Sequence, residues 1–144
     1  MNANPLLAPA AVLVLWSLIV LFWLVLTRFP AFAKAGIKVG NSPRGARYAD
    51  VEKDMPAGVN WVSHNYTHLM EQPTLFYAVI AILVLAGDTH TINLMLAWGY
   101  TGLRIAHSLW QCLVNVVAVR VVLFTLSTLC LLALAIHAVM LTLH

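Results

Sequence analysis

An all-α integral membrane protein, a bundle of four spanning helices, is the fold this chain's residue pattern predicts. Of its 144 residues 62% are apolar and only 9% charged, where a soluble domain carries about 25% charged residues. The apolar residues fall in long runs near the roughly 20 residues that one crossing takes. Six of the eight Lys and Arg lie in a single stretch between Arg28 and Lys53, which reads as a flanking topology signal. The net charge of +3 therefore carries no expectation of nucleic-acid binding. A chain this short falls well below the many-helix bundles of transporters, so it is expected to work as an oligomer.

The single membrane domain, 1–144, divides as follows. The run from Pro5 to Leu26 spans, and Arg28, Phe29 and Pro30 end it with a charge and a helix breaker, giving a first helix over 5–28. Ala31-Phe32-Ala33 looks like a signal-peptide cleavage site, but the apolar run is too long and no basic residue precedes it, so the first helix is expected to stay. Residues 29–60 gather Gly36, Gly40, Pro43, Gly45, Pro56 and Gly58 with most of the charge and read as a solvated loop. Helix two is expected over 61–86, a Gly87-Asp88 turn follows, and helix three covers 90–111. A turn at Asn115 leads to helix four, 116–142. The basic loop belongs in the cytoplasm, with both termini on the far side, and the compact chain suits a bacterial inner membrane.

Ionisable residues inside a span cost about 2.5–3.5 kcal/mol each near its centre, so they tend to face the bundle interior and mark function. Here His64, His68 and Glu71, with Thr67 beside them, share one face of helix two at spacing i, i+4, i+7. On helix three, Asn93, Tyr100, Arg104, His107 and Gln111 form one stripe, and helix four adds Arg120 and Ser127. Glu71, Arg104 and Arg120 all fall in the half of the membrane nearer the basic loop. Neutralisation of Glu71 by Arg104 or Arg120 is the simplest account, yet one carboxylate does not balance Arg28, Arg104 and Arg120 together. A hydrated cationic pocket that receives an anion explains the surplus. Pro73 frees a backbone carbonyl, that of Leu69, and is expected to kink helix two near that pocket. His90, His137 and His144 lie toward the opposite surface and are set aside, as are Cys112 and Cys130, which sit in apolar runs without metal-type spacing.

In this order the residues resemble a known family, the membrane-associated proteins in eicosanoid and glutathione metabolism (MAPEG). The resemblance rests on four short helices, a basic first loop, Glu71 followed by Leu75-Phe76, Arg104-Ile-Ala-His107 in helix three, and Arg120 opening helix four. It implies a homotrimer that binds glutathione as co-substrate between subunits and conjugates or isomerises lipophilic electrophiles drawn from membrane lipid. Carried over, Glu71, Arg104 and His107 match glutathione-binding positions, Arg120 matches the arginine that stabilises the thiolate, and Arg28 resembles the basic residue ending helix one. His64 and His68 stand where the eicosanoid enzymes have Arg and Asn, Gln111 replaces a tyrosine, and Val121 replaces a serine found in some members. Two other classes remain open: a non-catalytic trimer that binds an anionic lipid or a partner helix, and a metal enzyme using His64, His68 and Glu71 with His107 opposite.

Overall fold

The computed structural model describes residues 4–143, and among them four long helices carry the fold: α1 (Leu7–Lys34), α2 (Ala57–Leu85), α3 (Thr91–Leu113) and α4 (Val117–Leu143). His144 lies outside the described residues. Three of the four, α1, α2 and α4, are long and apolar enough to cross a membrane. α3 packs against all the others. α2 joins it at the centre, while α1 and α4 flank this pair on opposite sides.

The helix limits correct two expectations. α1 does not end at Arg28 but runs through Pro30 to Lys34. A proline costs helix stability because its ring displaces one carbonyl four residues back from its partner. α1 nonetheless stays continuous through this position. The helix stops instead where Gly36 takes the left-handed conformation (φ 73°) and the amide of Ile37 returns to the carbonyl of Phe32, a terminal motif that pairs the last free carbonyls. Its 28 residues extend about 42 Å at 1.5 Å per residue, against a hydrocarbon core of about 30 Å. The turns from Arg28 onward therefore reach the headgroup layer.

α2 begins a turn early, at Ala57, because Pro56 is fixed at φ −58° and its carbonyl receives the amides of Val59 and Asn60. It continues unbroken through the buried Pro73 to Leu85. The segment between α1 and α2, expected as plain loop, contains three short 3₁₀ turns: Val39–Asn41, Tyr48–Asp50 and Glu52–Asp54.

The two remaining connections are tight for stated reasons. Gly87 adopts φ 75°, and Asp88 N–H donates to Leu83 O at 2.9 Å. Asn115, at φ 58°, fills the same left-handed position after α3, and Asn is among the few side chains that accept it. Its amide donates to Trp110 O.

Apolar side chains split by direction. Leu13, Val20, Leu69, Phe76, Ile80, Leu83 and Leu134 are fully buried, whereas Leu15, Phe22, Leu26, Met95 and Leu129 face outward as lipid contacts. α3 turns its polar stripe inward: Asn93, Tyr100, Arg104, His107 and Gln111 are all buried, as the spacing predicts, together with Thr101 and Ser108. These groups stitch the helices together. Trp16 Nε1 donates to Ser108 Oγ at 3.0 Å, Asn65 Nδ2 to the same oxygen at 2.6 Å, and Thr101 Oγ1 to Pro9 O at 3.1 Å. With little apolar driving force between helices in lipid, such bonds and close packing set the arrangement.

The α2–α3 turn rests on Asp88, only 2% exposed. Burial pushes its carboxyl up, but hydrogen bonds from Asn93 and His90 outweigh that and hold it below the ordinary carboxylate range. A depressed folded pKa contributes stability above the unfolded value near ~3.9 that is lost as pH falls through the folded value. Asp88→Ala should accordingly lower stability at neutral pH by about 1–3 kcal/mol. The gap to wild type should close below pH ~4, as read by thermal unfolding in detergent across pH.

Candidate functional site

The structure draws some of the predicted residues together and separates others. At the loop-side end of the bundle, His68 from α2, His107 from α3 and Arg120 from α4 line one open cavity of about 200 Å³ together with Val117, Val121 and Phe124. The His68 and His107 rings stand edge to face with centroids 5.9 Å apart, and Phe124 lies 6.3 Å from each. Helical periodicity accounts for the grouping. Arg120, Val121 and Phe124 occupy adjacent turns of α4, and His107 is one turn beyond Arg104 on the buried face of α3.

Arg104 forms the floor of this end. It is 1% exposed, Nη2 donates to the His68 carbonyl at 2.8 Å, and its Cζ lies 5.7 Å from the centroid of Phe124. Nε and Nη1 have no partner among the described residues. Arg120 Nη1 donates to Asn115 Oδ1 at 2.8 Å, while its buried Nε is unpartnered. Neither arginine is neutralised by Glu71. That side chain faces outward, 60% exposed, with His68 Nδ1 at 3.3 Å. The simple account of a Glu71–arginine pair is thus replaced by two cations held without a carboxylate. Unpartnered donors in a buried setting cost about 1–3 kcal/mol each, more for charged groups.

Arg28 and His64 stand apart from the cavity. Arg28, on the α1 flank, donates from Nη2 to Ser63 Oγ at 2.6 Å and lies under the Tyr48 ring, 3.9 Å from its centroid. His64 is exposed and meets Glu52 Oε1 at 2.5 Å. Gln111 is buried on α3 with its Oε1 unpartnered. The histidine pattern that raised the metal reading is not assembled: among the described residues no three His, Cys, Asp or Glu side chains come together as a metal site would require. His64 is drawn to the loop because Glu52 offers it a carboxylate there.

A family model of the MAPEG family matches residues 6–140. The chain belongs to the MAPEG family. No curated protein and no solved structure matches it. MAPEG proteins are associated with glutathione chemistry.

Sequence reasoning missed Asn115 as the partner of Arg120 and Phe124 as the wall of the cavity. Asn115 carries a signal in retrospect, since five residues separate it from Arg120 across a helix start. Phe124 carries none, because an aromatic ring in an apolar helix reads equally well as a lipid contact. It also set aside His90 and His137, which the structure places in a second polar cluster at the opposite end.

Around Arg28 the loop is fastened by Tyr48, whose Oη donates to Asn60 Oδ1, while Asn60 Nδ2 donates to Glu52 O. Burial pushes the Tyr48 phenol up against the opposing charge of Arg28, so the ring stays neutral and stacked at physiological pH. Tyr48→Leu should release this fastening. Tryptic cleavage at Arg44 and Arg47 should then quicken several-fold, with the helical content by circular dichroism unchanged.

Proposed function

We propose that this MAPEG chain is a glutathione-dependent transferase or isomerase of lipophilic electrophiles, working as a homotrimer of four-span subunits with the basic loop in the cytoplasm. The observation that carries the reading is the pair of arginines at this end, the buried Arg104 and the half-buried Arg120, each with an Nε that has no partner among the described residues, where Arg120 lines a cavity with two imidazoles and apolar walls. A thiolate with carboxylates attached is the kind of anion that fits such a place. Lowering a thiol from its ordinary pKa near ~8.5 by one unit takes about 1.4 kcal/mol. A cation about 4 Å away supplies roughly 4 kcal/mol at an effective dielectric near 20, before desolvation opposes it. Arg120 is assigned this role.

Two features support completion of the site by a neighbouring copy. The cavity, about 200 Å³, is smaller than the roughly 300–1,000 Å³ of pockets that take whole ligands, so one subunit has room for part of a tripeptide. Arg28 and His64 occupy the flank opposite α4, and Thr67, Glu71 and Thr74 present a polar stripe outward from α2. A carboxylate on a spanning helix is costly against lipid, and a second protein surface removes that cost. In this reading the α1–α2 flank of one copy meets the α4 flank of the next. Arg28, His64, His68, Glu71, Arg104, His107 and Gln111 hold the carboxylates and amine of glutathione, while the electrophile enters from lipid along Val117, Val121 and Phe124.

Titration of the purified protein with glutathione, followed by the ultraviolet absorbance of the thiolate and by calorimetry, tests the chemistry. Wild type should give a saturable thiolate signal that Arg120→Ala abolishes and Arg120→Lys partly restores. Binding without thiolate in the wild type would favour the non-catalytic anion-binding reading. Absence of both would remove glutathione as the ligand. Thr74→Trp, which projects a large ring from the outward stripe of α2, should shift the assembly from trimer to monomer in native mass spectrometry.

A further inference from the structure

At the far end of the bundle, opposite the basic loop, a second cluster joins the α2–α3 turn to α3 and α4. Asp88, buried, accepts from His90 Nδ1 at 2.6 Å and from Asn93 Nδ2 at 2.8 Å. Asn93 Oδ1 in turn meets His137 Nδ1 at 2.5 Å. Asn4 Nδ2 donates to the Asp88 carbonyl at 2.9 Å and ties the start of the chain to the same turn.

The chemistry of these partners fixes every proton in the chain. An ionised carboxylate only accepts, so the Asn93 atom facing it is the amide nitrogen and the atom facing His137 is the oxygen. That oxygen also only accepts, which places the His137 proton on Nδ1, as Asp88 does for His90. In its neutral form each imidazole then has Nε2 free as an acceptor. His90 and His137 both border a cavity of about 450 Å³, and the rest of its lining includes Ile92, Met140 and Leu141. Ile92 and Met140 are more than half exposed, which opens the cavity toward the lipid side. This volume falls in the range of small-molecule sites.

We propose that this cavity binds a hydroxyl-headed amphiphile from the membrane, a long-chain alcohol or phenol, with its O–H donating to a free imidazole Nε2 and its chain lying along Ile92, Met140 and Leu141. The acceptor pair selects for a donor head. The buried Asp88 carboxylate repels carboxylate and phosphate heads, and a quaternary ammonium has no N–H or O–H to donate to the imidazole acceptors. The location agrees: the cluster joins the end of α2 and the start of α3 to the last turns of α4, the depth at which an amphiphile's hydroxyl meets the membrane surface.

The test uses the full-length protein in lipid nanodiscs, with para-nonylphenol as the probe and nonylbenzene as its partner lacking the hydroxyl. Nonylphenol should bind saturably and shift the NMR signals of the His90 and His137 ring nitrogens. Nonylbenzene should bind about tenfold more weakly, as loss of one or two hydrogen bonds requires. His137→Phe should weaken nonylphenol binding about tenfold. Met140→Trp, a change at an exposed position that leaves the polar chain intact, should weaken both probes by filling the apolar end. Equal affinity for the two probes, shifts at His68 and His107 in place of His90 and His137, or unchanged affinity in Met140→Trp would each overturn the proposal. Because Met140 lies outside the polar chain, that variant decides the matter even if His137→Phe does not fold.

Discussion

A polar group inside hydrocarbon has no water to turn to, so it must find its partner within protein. The fold follows from how α3 meets this constraint. Its polar stripe faces inward, and the other helices are placed by what that stripe needs: Ser108 brings in Trp16 of α1 and Asn65 of α2, Thr101 takes the Pro9 carbonyl, and Asn93 reaches His137 of α4. Apolar residues then fill the layer between the two ends. The Phe76 and Tyr100 rings stack with centroids 4.3 Å apart, next to Ile80, Ala97 and Leu134 in the same buried core. A helix that buries its polar face and leaves Met95 and Leu109 outside reverses the soluble pattern, as a lipid solvent demands.

The same constraint sharpens the meaning of what is left unsatisfied. Arg28, Arg104 and Arg120 each hold a buried Nε without a partner, and the carboxylate that might have balanced one of them faces outward on α2. A structural network closes its own donors, as Asp88, Asn93 and the two far-side histidines do. In the proposed function, the donors left open at the loop end serve an interaction with something outside the chain. The open arginines and the outward Glu71 leave the charge unbalanced, positive within and negative without, and the proposed contact with a further molecule would resolve both.

Much of this was legible in the sequence because period and charge carry it. The five-residue stripe of α3 follows from spacing alone, and three apolar runs mark the long spans. The helix ends were less legible. Pro30 and Pro56 signal interruption in water-soluble logic, yet near the membrane surface one sits inside a helix and the other starts one. The α2 face was read with the right spacing and the wrong orientation. His64, His68 and Glu71 do share a side, but the buried side of α2 is that of Asn65, Leu69 and Phe76, so His64 and Glu71 turn outward and His68 stands at the edge. Periodicity shows which residues face together and is silent on what they face. His90 and His137 were undervalued for a related reason. They are 47 residues apart, and only the packing of α3 on α4 joins them through Asp88 and Asn93.

The two ends of the bundle have opposite electrostatics and stand apart. At the loop end, arginines with free donors favour an anion. At the far end, a buried carboxylate orients two imidazoles as acceptors and favours a neutral donor. Asn93 and Arg104 lie eleven positions apart on the same helix, about 16 Å along its axis, with the Phe76–Tyr100 layer between. At that separation, changes that share no partner combine additively within a few tenths of a kcal/mol. α3 joins the two ends and touches all three other helices, and α4 also carries residues of both, Arg120 at one and His137 at the other. A ligand that drew Arg104 away from the His68 carbonyl would have to rotate or shift α3 to be felt at Asn93, and the bonds from Trp16 and Asn65 to Ser108 and from Thr101 to Pro9 resist such movement. The architecture therefore favours independence of the two proposed sites over coupling between them.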